Sequence, residues 1–357
     1  MKNSKNIKSL IDSIQNIEGQ ELTFNEEAIK YEYENQNDEQ SLAIKILSIF
    51  GGLLSCITFL GFLFIAGLYN SKEGLLITGI IFVLCAVGLN KISDKIIIDT
   101  ISVSSYVIGF TLIWMSLERM NFDESSIQII FIFVGIATLI LVQNYILSFI
   151  ATLATNLSFL ALLLEGNQYD LIHVYTFAMV FILSFLILNE GKIITTSKKL
   201  SRLYNPLRIG LIFSLLIGLI FLGKKGMLRI TPEYIWLSSI SIILFIVYVI
   251  IELINILQVK DIQSKIGIYI FTILILASTV LSPAISGAIL IILLSFKVNY
   301  KTGLAIGIIA FIYFVSQYYY DLKFTLLTKS IMMFTTGILF LAFYLFTHKK
   351  LSENEKV

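Results

Sequence analysis

From about residue 46 onward the chain is a nearly unbroken series of apolar runs. They lie at about 46–68, 74–90, 96–117, 127–143, 145–164, 171–189, 208–223, 234–258, 263–282, 284–297, 302–320 and 324–346. Most have the length a helix needs to cross the hydrocarbon of a bilayer, about 20 residues at 1.5 Å each. The links between them are short, so no folded domain fits outside the membrane after residue 45. Composition agrees, with 57% hydrophobic and 14% charged residues against roughly 25% charged in a soluble domain. The expected fold is all-α: a polytopic transmembrane helix bundle of about twelve spans with short loops. Ala284–Phe296 is the short one, about 20 Å as a helix.

Charge placement orients this bundle. With the N-terminus in the cytoplasm, nineteen basic residues fall at inside ends and seven at outside ends. Both termini are therefore expected inside. Three regions follow: a cytoplasmic acidic and amphipathic helical segment over 1–44, a transmembrane domain over 45–347, and a cytoplasmic tail over 348–357. In the first, Ile7, Leu10, Ile11, Ile14 and Ile17 recur at helical spacing. Its four lysines against nine carboxylates disfavour charge-driven binding to anionic lipid. The basic loop 190–208 divides the spans six and six, the layout of many transporters built from repeats. No residue-level repeat accompanies it.

Several function classes find no support. A net charge of +2 suggests no nucleic-acid partner. Cys56 and Cys85 lie in apolar runs and read as small buried hydrophobes, and His173 and His348 are too far apart in sequence to form a ligand cluster. No cofactor is implied. The N-terminus has no continuous apolar core, so no cleavable signal peptide is expected. GxSxG, HExxH, CxxC and Walker A patterns are absent from the sequence. A dyad of Lys329 with Ser330 or Ser316 is disfavoured because neighbours on a helix diverge by about 100°. The expectation is no enzyme.

Polar groups inside apolar runs are the remaining places to look, since burying them costs free energy. Asp99 and Glu252 both fall near the cytoplasmic side, where they can form a protonatable pair, bind a cation, face water, or pair with Lys95 or Lys260. Lys329 shares a helix face with Thr325 and Thr336. Its expected role is an ion pair locking the last helix, with Asp321, Glu118, Glu165 and Asp170 as carboxylates on the same side. A substrate or proton site and simple snorkelling are the alternatives. Tyr318, Tyr319 and Tyr320 fan around the end of span 11 and suit an aromatic belt. Pro283 and Gly287 interrupt spans 9 and 10, and Gly303 with Gly307 makes a GxxxG that permits close packing.

The run YYYDLKFTLLTKS resembles the YYY-x-L-x-x-T-L-L-x-K-S pattern of a bacterial membrane family catalogued as domain of unknown function four-four-zero-one. The opening spans ILSIFGGLLSCITFLGFLF and GLLITGIIFVLCAVGLNK are similar to that family's start, so the resemblance covers about 45–347. It maps onto Tyr318, Tyr319, Tyr320, Leu322, Thr325, Leu326, Leu327, Lys329 and Ser330, with Asp321 and Lys323 in variable places. What it implies is a multi-pass protein of the bacterial inner membrane. It also implies a second membrane-anchored protein, encoded nearby and named for a Gly-Asp-Tyr motif, as partner. The expected function is a non-enzymatic component of an envelope membrane complex. The alternatives are a secondary transporter or channel for a small solute and, less favoured, an intramembrane enzyme.

Overall fold

The computed structural model describes residues 42–321 apart from 93–95, 225–227, 229–232 and 259–260, together with 327, 328, 330, 331, 334, 338 and 341. The amphipathic stripe at 7–17, most of the run 324–346 and the C-terminal tail lie outside the described residues. The chain divides into two compact units, Met1–Leu54 and Ser55–Val357. Of the first, the described part is the opening of one helix. Everything below concerns the second.

Among the described residues there are twelve α-helices and no strand. They are α1 Leu42–Ile65, α2 Lys72–Ile92, α3 Ile96–Arg119, α4 Glu124–Leu141, α5 Tyr145–Leu164 and α6 Ile172–Leu188. After these come α7 Glu190–Thr196, α8 Lys198–Gly223, α9 Trp236–Ile256, α10 Ile262–Ser278, α11 Pro283–Lys297 and α12 Lys301–Asp321. Eight of them (α2–α6, α8, α9 and α12) are long and apolar enough to cross a membrane. Their outward faces carry large apolar side chains such as Phe133, Leu244 and Ile312. Water does not tolerate so much contiguous hydrocarbon on a monomer, whereas lipid requires it. This is a multi-pass membrane protein.

Contacts at the helix ends show that successive helices run in alternating directions. At one end Arg119 donates to the Tyr69 carbonyl, Ser125 to Glu165 at 2.5 Å, and the Glu233 N–H to Asp170 at 2.7 Å. At the other, lysine-rich end Asn144 donates to Asp99 at 2.8 Å, Lys199 to the Ile140 carbonyl at 2.5 Å, and Lys297 pairs with Glu252.

α8 sits at the centre, against α5, α6, α11 and α12. Along it Gly210, Ser214 and Gly218 form a ridge of small residues four apart, which lets neighbouring backbones approach closely. A Cβ on Gly210 would meet Thr152 of α5 at 2.7 Å, and one on Gly218 would meet the Tyr175 ring of α6 at 2.7 Å. The larger core is built on this ridge, with Tyr175, Met179 and Leu183 of α6, Leu215 and Leu219 of α8, Ile242 and Ile246 of α9, and Leu290 and Ile291 of α11. A second core joins α2–α5 through Val83, Tyr106, Ile113, Phe131 and Leu147.

Two expectations are corrected. The basic loop dividing six spans from six does not exist as a loop, because α7 and α8 occupy it. Ser197 caps α8 by accepting the Leu200 N–H at 3.2 Å, and the helix then runs 26 residues through Pro206. Proline removes one helix hydrogen bond, a loss membrane helices tolerate where neighbours surround them. Pro206 is buried. Cys85, expected to be buried, is exposed on the outer face of α2.

α11 has only 15 residues, about 22 Å as a helix, and touches both α8 and α9. Its start lies against Gly223 at the far end of α8, through Ala284, and Gly287 lies against Leu219. Its last residue, Lys297, reaches the lysine-rich end of α9. Pro283 occupies the first turn of α11, where its missing N–H costs nothing. The α10–α11 turn is closed by Ser286 donating to Thr279 at 2.9 Å.

Gly210→Ala is expected to cost about 1–3 kcal/mol by overpacking, read as a lower unfolding midpoint in detergent. Adding Thr152→Ala should restore only part, because the Thr152 Cβ itself stands 2.8 Å from the new methyl. Full restoration would show that the contact is soft.

Candidate functional site

The densest buried polar cluster lies near the lysine-rich end, where α5, α7, α8 and the α11–α12 turn meet. Arg208, on the third turn of α8, is 7% exposed. Its Nη1 donates to Glu190 at the start of α7 at 3.3 Å, and its Nη2 to Asn205 at 2.7 Å. The guanidinium lies 3.6 Å from the centroid of the Tyr300 ring and 4.9 Å from that of Tyr204. Stacking of this kind contributes about 2 kcal/mol when desolvated. The Tyr145 hydroxyl belongs to the same electrostatic neighbourhood, coupled to Tyr300 and Arg208. Burial holds the Tyr300 phenol above its ordinary range, with Arg208 pulling the other way, so Tyr300 stays a neutral donor.

The cluster is under-filled. Arg208 Nε, the Tyr204 hydroxyl and the Ser295 hydroxyl are each buried without a hydrogen-bond partner. Ser295 stands beside Tyr300, whose N–H donates to the Ser295 carbonyl at 2.8 Å. Among the described residues Glu190 is the one carboxylate at the guanidinium, and its 3.3 Å separation exceeds the usual charge-assisted range of about 2.7–2.9 Å. Chemically this is an arginine in an aromatic setting, paired with Glu190 and Asn205, with its Nε and the Tyr204 hydroxyl lacking acceptors.

Several other buried polar groups pin helices together, while Ser148, Ser184 and Ser239 have buried hydroxyls without a partner. His173 of α6 contacts Ser238 Oγ at 2.7 Å through Nδ1 and the Glu233 carbonyl at 2.7 Å through Nε2, tying α6 to α9. Tyr106 donates to Thr138 at 3.1 Å. Asn156 donates to the Ser214 hydroxyl at 3.0 Å, and Tyr175 to the Ser214 carbonyl at 3.0 Å. Asn90 and Ser102 bond across α2 and α3.

The residues singled out in the sequence are dispersed. Asp99 accepts from Asn144, while Glu252 pairs with Lys297 and accepts from Tyr248 at 2.8 Å. The two acids thus have different partners. Tyr318 and Tyr320 are exposed on the last turns of α12 and Tyr319 is half-buried. The Tyr319 and Tyr320 rings meet edge-on at 5.8 Å. Gln317 donates to Asp321 at 3.2 Å. Ser330 is helical and exposed. Thr325 and Lys329 lie outside the described residues, and with them the expected ion pair.

Arg208 was hidden by Pro206, which reads as the end of a loop. The signal that reveals it is the spacing of Leu200, Leu203, Tyr204, Leu207 and Leu211, which keeps helical period straight through the proline.

Asn144 holds two jobs that can be separated. Its Oδ1 caps α5 by accepting the N–H groups of Ile146 and Leu147 at 3.0 and 3.2 Å, and its amide serves Asp99. Asn144→Ser should keep the cap and lose the amide, whereas Asn144→Ala should lose both. The alanine variant is expected to be less stable than the serine variant by about 1 kcal/mol in a detergent unfolding titration. Equal stability would remove the cap from the account.

No curated protein and no solved structure matches the chain. A family model described as Domain of unknown function (DUF4401) matches residues 41–350, which takes in both cores, the Arg208 cluster and the tyrosine-rich end of α12. This chain belongs to the DUF4401 family.

Proposed function

We propose that the protein is a twelve-span component of a bacterial inner membrane, with both termini cytoplasmic, and that it serves as a non-enzymatic scaffold in an envelope complex with a second membrane-anchored protein. The observation that carries the scaffold reading is how the interior polar groups are spent. Asp99, His173, Glu252 and Lys297 each bond a neighbouring helix, as locks do. The orientation is supported by charge, because Lys192, Lys198, Arg202, Lys265, Lys297 and Lys301 share one end of the bundle. The exposed Tyr318 and Tyr320, beside the YYY…KS motif at the opposite end, supply a rigid aromatic surface suited to a protein contact.

A secondary transporter or channel is the second reading, and the under-filled donors around Arg208 are what favour it. The two are separated by purifying the detergent-solubilised protein from its native host, wild type beside Lys329→Ala and Tyr320→Ala. The scaffold reading expects a stoichiometric second polypeptide with the wild type and its loss from variants that keep a wild-type unfolding midpoint. A folded, partnerless protein in every sample would sink it and turn attention to solute uptake in liposomes.

A further inference from the structure

Arg208 combines features that a purely structural arginine does not need. A guanidinium carries five N–H donors in a planar fork. Here one Nη serves Glu190 loosely, the other serves Asn205, and the buried Nε serves nothing. The Tyr204 hydroxyl, electrostatically linked to both Arg208 and Glu190, is likewise buried with no partner at hydrogen-bonding distance. Leaving a buried donor without an acceptor is unfavourable, so the adjacent Arg208 Nε and Tyr204 hydroxyl point to an acceptor that fills them together. That acceptor needs several oxygens and negative charge.

Depth narrows its identity. α8 has 26 residues, about 39 Å, against about 30 Å of hydrocarbon. With Gly223 at the far boundary, the near boundary falls close to Tyr204, and Arg208 lies about 6 Å within it. Tyr145 and Tyr300 agree, since each stands at the start of a spanning helix. This is the level just beneath lipid phosphates. Lys192, Lys198, Arg202 and Lys301 are exposed around the rim, and basic clusters at such a position attract anionic headgroups.

We propose that the Arg208 cluster is a binding site for a phosphate group, with Arg208 and Tyr204 as donors and Glu190 as the resident acceptor that the phosphate displaces. The same chemistry is offered by the phosphodiester of an anionic lipid in the facing leaflet and by free phosphate in solution. Glu190 is about 30% exposed on its side chain and can swing toward water as the phosphate enters.

The test uses the full-length protein in nanodiscs of phosphatidylcholine alone, of phosphatidylcholine with phosphatidylglycerol, and of phosphatidylcholine with added inorganic phosphate. Unfolding midpoints and lipid adducts in native mass spectra are the readouts. Phosphatidylglycerol is expected to raise the wild-type midpoint and to remain bound. Glu190→Gln, which removes the competing carboxylate, should bind it about tenfold more tightly, the effect of one charge-assisted hydrogen bond. Arg208→Lys keeps the charge but not the fork and should lose the gain. A gain from inorganic phosphate alone would support the site and identify its ligand as soluble. No gain from either source, or a gain weakened by Glu190→Gln or undiminished in Arg208→Lys, would overturn the proposal. If Arg208→Lys does not fold, the Glu190→Gln comparison decides alone.

Discussion

The close approach of α8 to its neighbours is the contact on which the rest depends. In lipid the hydrophobic effect does not drive helices together, because the tails are as apolar as leucine, so packing must come from fit. The Gly210, Ser214 and Gly218 ridge supplies that fit. It admits Thr152 of α5 on one side and the Tyr175 ring of α6 on the other, and Ser214 is hydrogen-bonded from both. The larger core, with its contributions from α6, α9 and α11, is assembled around the helix so placed. A side chain added at Gly210 would push α5 outward, and one at Gly218 would push α6.

Polar pins complete what packing begins, and their depths differ in character. At the end away from the lysines they are mostly neutral or backbone-directed, as His173 with Ser238 and the Glu233 carbonyl shows. Near the lysine-rich end they involve ions: Asp99, Lys297 with Glu252, and Arg208 with Glu190. An ion inside a bundle is held by its partner and is destabilising if left alone. Lys297 and Glu252 satisfy one another. Arg208 is only partly satisfied, since its bond to Glu190 is long at 3.3 Å and its Nε is unused. This contrast, more than burial itself, separates the Arg208 cluster from the structural pins.

Much of the fold was legible in the residues. Each of the first eleven apolar runs coincides with a helix, and the pairing of Pro283 with a tight turn follows from its missing N–H. The short run at 284–297 was ambiguous by length. Its helix packs with Ala284 against the end of α8 and Lys297 against Glu252 of α9, contacts that length alone could not foretell. Asp99 and Glu252 were recognisable as costly residues, but their partners, Asn144 and Lys297, are 45 residues away in each case. Only packing brings them together. Arg208 was legible as a charge and illegible as a buried one, because Pro206 masks a helix that continues through it.

What the sequence by itself determined is the solvent. Runs of hydrocarbon this long leave the backbone no option in lipid but helices that satisfy their own hydrogen bonds, and most lysines gather at one end of the bundle. Which helix lies at the centre, which polar groups meet, and which are left with unused donors were decided by tertiary structure alone. Apolar residues facing lipid and those facing protein are chemically alike, so hydropathy cannot distinguish them. Close contact at a few small residues can, and it placed α8 among α5, α6, α11 and α12 with Arg208 inside.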